Sequence, residues 1–192
     1  DATTLAAASN RGGIHVTGAS GSGLDIGEVA AVEVNQVKTD GELASISGIT
    51  TLSGLTTDGA DINLNTVNAD LTLSSSISTG GNENGVLTVG TTGTTGSVIA
   101  RKGMGLIGRQ LVVNAADDAL LTLPNRPEDV AGSTLFANAP GKQSVSRISA
   151  DVGGAFYFAR NGDLAVEAVP GAPATDPGIQ ADYVWLRAAG DL

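Results

Sequence analysis

Acidic side chains occur in close pairs along this 192-residue chain: Asp58 with Asp61, Asp117 with Asp118, and Glu128 with Asp129. Grouped carboxylates can hydrolyse glycosides, one acting as general acid and the other as base or nucleophile at a defined separation. The pairs lie in Asp-Gly and Asp-Asp contexts, where a short carboxylate satisfies nearby backbone. They are therefore read as turn chemistry, and no catalytic residue is assigned. His15 is the single histidine. Alternation puts Ile14 and Val16 inward and His15 outward, and no nucleophile or orienting acid accompanies it. It reads as a surface residue.

Calcium would need several carboxylates and carbonyls together. The nearest stretch, Gly80-Gly81-Asn82-Glu83-Asn84-Gly85, occurs once, and the repeating Gly-Gly-x-Gly-x-Asp pattern of calcium-binding repeats is absent. No metal and no cofactor is expected. Thr91-Thr92-Gly93-Thr94-Thr95 is a local run and lacks the regular Thr ranks of an ice-binding face. Arg101, Lys102 and Arg109 form a small basic cluster, read as a solvated loop.

Three aromatics could contact a partner. If Phe156 and Phe158 point inward, Tyr157 points out. If Val184 and Leu186 point inward, Tyr183 and Trp185 share the outer face. Exposed rings stack on sugars or pack on a protein. The competing reading has the Pro-rich segment 170–178 folding over them.

The elements that carry these residues are short and repetitive. Apolar, any residue, apolar recurs as Ile14-His15-Val16, Leu24-Asp25-Ile26, Ile62-Asn63-Leu64, Leu71-Thr72-Leu73 and Leu87-Thr88-Val89. It continues as Leu111-Val112-Val113, Leu121-Thr122-Leu123, Phe156-Tyr157-Phe158 and Leu164-Ala165-Val166. Each unit reads as a very short half-buried strand. Two or three units make a lap of about 20 to 25 residues, the length of one coil of a parallel β-helix. The spacing predicts an all-β chain: a parallel β-helix, or solenoid, of about eight coils. Glu28–Val37 could offer a helical face through Val29, Val32 and Val37, but its β-branched content favours strand. Residues 170–178, with three prolines, cannot continue a strand and are read as a projecting loop. Pro124–Asp129 reads as a second, shorter loop. The whole of 1–192 is taken as one segment.

Composition agrees. Hydrophobic residues make up 41% but aromatics only 3%, so the core must be aliphatic, and 27 glycines suit many tight turns. The net charge of −10 makes nucleic acid and anionic membranes poor partners. No apolar run approaches a membrane span. The chain has no cysteine, which permits either redox compartment. It opens without a basic segment or apolar signal region, and so reads as an internal fragment of a longer repetitive protein. Weak similarity over a longer distance also suggests a larger module: Thr4–Ala7 with Thr134–Ala137, Leu24–Val29 with Leu164–Val169, and Asp61–Leu64 with Asp182–Leu186.

Thr56–Gly90 (TTDGADINLNTVNADLTLSSSISTGGNENGVLTVG), Gly105–Asn138 (GLIGRQLVVNAADDALLTLPNRPEDVAGSTLFAN) and Gly154–Pro170 (GAFYFARNGDLAVEAVP) resemble the repeats of filamentous-haemagglutinin-like exoproteins. The resemblance implies a right-handed parallel β-helix in a very large bacterial adhesin. It further implies two-partner secretion through an outer-membrane transporter and a secreted or cell-surface location. The amino-terminal secretion domain of such proteins is absent from this sequence. The expected role is a non-enzymatic stalk that supports attachment or biofilm and matrix interactions. Its partners would be the neighbouring coils of the parent chain, a second copy end to end, and a host or matrix glycan or protein. The alternatives are a carbohydrate-active β-helix enzyme and a glycan-binding module.

Overall fold

The computed structural model describes residues 3–31, 34–46, 50–80, 85–101, 104–121, 144–160, 162–168, 178–188 and 191–192. Among the described residues the chain is all-β, without a helix, and most of its strands pair in parallel.

Three sheets carry the fold. The first contains β1 (Thr4–Leu5), β4 (Leu24–Ile26), β11 (Leu71–Leu73), β14 (Val98–Ala100), β17 (Ala119–Leu120), β19 (Ala155–Arg160) and β22 (Tyr183–Ala188). The second contains β2 (Ala7–Ser9), β9 (Leu55–Thr57), β12 (Ile77–Ser78) and β15 (Leu106–Ile107). The third contains β3 (Ile14–Thr17), β10 (Ile62–Val67), β13 (Val86–Thr92), β16 (Gln110–Ala115) and β18 (Arg147–Val152), with β20 (Ala165–Val166) and β21 (Ile179–Gln180) both pairing with β18.

From Thr4 to Leu120 the chain visits first, second and third sheet in turn, with one excursion. Consecutive strands go to different sheets, and pairing partners come one round later. Among the described residues the first sheet holds seven strands, the second four and the third seven.

Alternation explains why the strands hold. Register places Leu24, Leu71, Val98, Ala119 and Phe156 in one line across the first sheet. Ile14, Ile62, Leu87, Leu111 and Ile148 line the third, and Leu55, Ile77 and Leu106 the second. All belong to one buried cluster. Like stacks on like, so each round buries its aliphatic side chains on the next, at about 1.5–3 kcal/mol per large side chain. His15, between buried Ile14 and half-buried Val16, is exposed as the alternation requires.

The excursion leaves the first sheet after β4. β5 (Glu28–Val29) pairs antiparallel with β8 (Leu52–Ser53), and β6 (Val34–Val37) with β7 (Leu43–Ile46). Glu28–Val37 thus contains strand, as its β-branched residues predict, but those strands form antiparallel pairs outside the three sheets. The excursion closes at its base, where the Gly54 N–H donates to the Gly27 carbonyl at 2.8 Å. Gly54 has φ 69°, and a Cβ there would sit 1.9 Å from the Ser76 carbonyl oxygen, so only glycine fits this corner.

The longer-range similarities do not mark equivalent places. Leu24–Ile26 lies in the first sheet and Ala165–Val166 in the third, while Ile62–Val67 lies in the third and Tyr183–Ala188 in the first. Apolar alternation suits any of the sheets, so the similarity carries no periodicity. Thr134–Ala137, the loop at Pro124–Asp129 and 170–177 of the projecting loop lie outside the described residues. Gly178 is buried and its carbonyl accepts the Ala150 N–H at 2.8 Å.

Candidate functional site

Asp61, Asp117 and Asp118 of the paired carboxylates, together with Asp70, act as braces. Asp61 Oδ1 accepts the Val86 N–H, Asp70 Oδ1 the Ser97 N–H, and Asp118 Oδ1 the Ala155 N–H, each at 2.8 Å. Asp117 Oδ2 accepts the Gly96 N–H, also at 2.8 Å. Every one of these bonds reaches a different round of the chain. Turn residues thereby satisfy backbone donors where the ladders break. Asp58 is exposed, and Glu128 and Asp129 lie outside the described residues.

The threonine run is likewise structural. Thr91 is buried; its hydroxyl donates to the Gly96 carbonyl and accepts the Ala116 N–H. The Thr94 N–H donates to Asn68 Oδ1 at 2.9 Å. Among the described residues no group of three or more His, Cys, Asp or Glu is placed to hold a metal ion. Arg101 and Arg109 are exposed, while Lys102 and most of the Gly80–Gly85 stretch lie outside the described residues.

The aromatics do converge. Register sets Tyr157 beside Trp185 and Ala155 beside Tyr183 on the first sheet. The Tyr157 ring lies 5.5 Å from that of Tyr183 and 6.3 Å from that of Trp185, with interplanar angles of 35° and 30°. These are the only two tyrosines and the only tryptophan of the chain. Phe156 and Phe158, on the opposite side of β19, are fully buried. The inner register partner of Phe156 is Val184, which stays 44% exposed because β22 ends the sheet among the described strands.

A cleft of about 380 Å³ opens on the outer face of the third sheet. Its lining comes from four neighbouring strands and the turns before them: His15, Asp61, Ile62, Asn63, Val86, Thr88, Val112 and Asn114. His15, Asn63, Thr88 and Val112 form one outward row in register. The row runs on to Ser149, which is fully buried. The separate units Ile62-Asn63-Leu64 and Leu87-Thr88-Val89 already mark Asn63 and Thr88 as outward. What the sequence lacks is the register that brings them together with Asn114.

No protein-family model, curated protein or solved structure matches the chain.

Proposed function

We propose that this chain is a segment of a right-handed parallel β-helix, of about eight coils, within the stalk of a large secreted bacterial adhesin. The observation that supports this reading is the cyclic order of the three sheets, in which each aliphatic line stacks on its own kind one round later. Parallel crossovers of this type are right-handed in nearly all proteins. A stack of this kind gains stability round by round and stiffness along its axis, which suits a spacer holding binding regions away from a cell. The role is structural and non-enzymatic. Its neighbours are further rounds of a longer chain, and the parent leaves the cell through an outer-membrane transporter to reach the surface. The exposed edge at β22 gives a second copy a place to stack end to end.

Electron microscopy of two, three and four copies joined in tandem tests the stalk. A rod whose length grows in proportion to copy number supports it; separate beads on a string overturn it. Antibody against the segment should also label intact cells of the source bacterium, and labelling only after permeabilisation would remove the surface assignment.

A second role is favoured by one observation, the collection of both tyrosines and the tryptophan at a single outer patch. Packing does not require large rings there, and they suit a protein or glycan partner. Loss of surface attachment on changing Trp185 to Ala, with melting unchanged, is the expected sign.

A further inference from the structure

We propose that the cleft across β3, β10, β13 and β16 binds a neutral saccharide. The inference goes beyond the stalk reading and does not depend on the aromatic patch, which lies on the first sheet.

The first argument is where hydrogen-bonding capacity is left over. Polar side chains near the corners are consumed by the fold. Asn65 Nδ2 donates to Thr92 Oγ1, Thr66 Oγ1 to the Ala69 carbonyl, and Asn68 Oδ1 accepts from Thr94. In the cleft, by contrast, the side chains of His15, Asn63, Thr88 and Asn114 have no hydrogen-bond partner among the described residues. Two amides, a hydroxyl and an imidazole therefore converge with free donors and acceptors. Each amide offers a carbonyl oxygen and an NH₂ side by side, which matches adjacent hydroxyl groups that both give and take a proton.

The second argument is charge. Among the described residues no Lys or Arg lines the cleft, and the one carboxylate there is Asp61. Asp61 Oδ1 is occupied by the Val86 N–H, leaving Oδ2 to accept from a ligand hydroxyl. An anionic ligand such as a uronate, sulfate or phosphate would meet the Asp61 charge with no counter-ion among the described lining residues, in a chain of net charge −10. A neutral, hydroxyl-rich ligand meets no such penalty.

The third argument is shape. The volume lies within the range of small-ligand sites. Val86 and Val112 supply apolar floor for the C–H faces of a sugar ring, and Val112 is nearly buried although it points away from the aliphatic interior. Gly90, in register with Asn114, lets that strand come close: a Cβ at Gly90 would lie 2.8 Å from the Asn114 carbonyl and 3.3 Å from its Cβ. A single carboxylate among the described lining residues suits holding a sugar, whereas glycoside cleavage uses two.

The test titrates the isotope-labelled full chain with neutral oligosaccharides (β-1,4-glucan, mannan, galactan and α-1,4-glucan fragments) and with oligogalacturonate as the anionic control, each to roughly 10 mM. At least one neutral probe should shift the side-chain amide signals of Asn63 and Asn114. Asn63→Ala with Asn114→Ala should weaken it at least about tenfold with melting unchanged. If that double variant fails to fold, Thr88→Lys, which fills the cleft from an outward position, should abolish the shifts. No shift with any neutral probe overturns the proposal. So does preference for oligogalacturonate, or binding that survives in the variants and is lost in Trp185→Ala, which would move the site to the aromatic patch.

Discussion

The Asp118 carboxylate accepts the backbone N–H of Ala155 at 2.8 Å across 37 residues of chain. The bond ties the turn before β17 to the start of β19, the next strand of the same sheet. A residue that resembles half of a catalytic pair is therefore a brace between rounds. Asp118→Ala leaves a part-buried donor unmet and should cost roughly 1–3 kcal/mol, whereas Asp118→Asn keeps an acceptor oxygen and should cost less than half as much. Urea unfolding of both variants reads the difference. Equal losses would mean that the carboxylate acts through its charge and not as an acceptor.

Two glycines with similar backbone should respond differently. Gly54 has φ 69° with the Ser76 carbonyl in the place of a Cβ, while Gly41 has φ 86° with open space around it. Gly41→Ala should cost about 1 kcal/mol through its backbone conformation alone. Gly54→Ala should cost several times more, because strand β9 must move to admit the methyl group. Similar melting temperatures for the two would show that the corner at Gly54 yields easily.

The excursion should be dispensable for folding. Its ends are already joined through Gly54 and Gly27, so replacing residues 31–50 by a two-residue Asn-Gly turn leaves the three sheets intact. Loop-closure entropy changes by only about 0.6 kcal/mol per halving of length. Circular dichroism and melting should match the parent closely. A collapse in stability would show that the excursion packs on the sheets.

The open edge should govern association. Val184 is exposed at β22, and Tyr183 beside it is 48% exposed. Sedimentation of the segment should show concentration-dependent self-association that Val184→Lys reduces by placing a charge against a second copy. A monomer at all concentrations would remove the end-to-end contact.

Much of the inner pattern was legible from alternation alone. Ile62-Asn63-Leu64 and Phe156-Tyr157-Phe158 announce which side chains turn inward, because a two-residue period has one solution around a dry core. The outward direction of Tyr157, and of Tyr183 with Trp185, followed from the same rule, but their meeting on one sheet came from the register of β19 with β22. Register did not follow. That Asn63 neighbours His15 on one side and Thr88 on the other depends on how many residues each corner consumes, and no local signal states this. The partners of Asp61 and Asp118 stayed hidden for the same reason. Their turns suggest bonds to nearby backbone, yet the acceptors serve residues 25 and 37 positions away. The antiparallel pairs of the excursion escaped notice because Val34–Val37 has the composition of any other strand in the chain.

A final consequence attaches to the excursion. On its amino-terminal side the chain supplies β2, β3 and β4; on the other side it supplies β9, β10 and β11, and each of the first three lies in a ladder with one of the second three. A protease that nicks the backbone between Lys38 and Gly41 would separate the polypeptide into two pieces without separating the particle. The cut halves would co-migrate under native conditions and part only in denaturant. Two such fragments, made independently, would be candidates for reassembly into a whole.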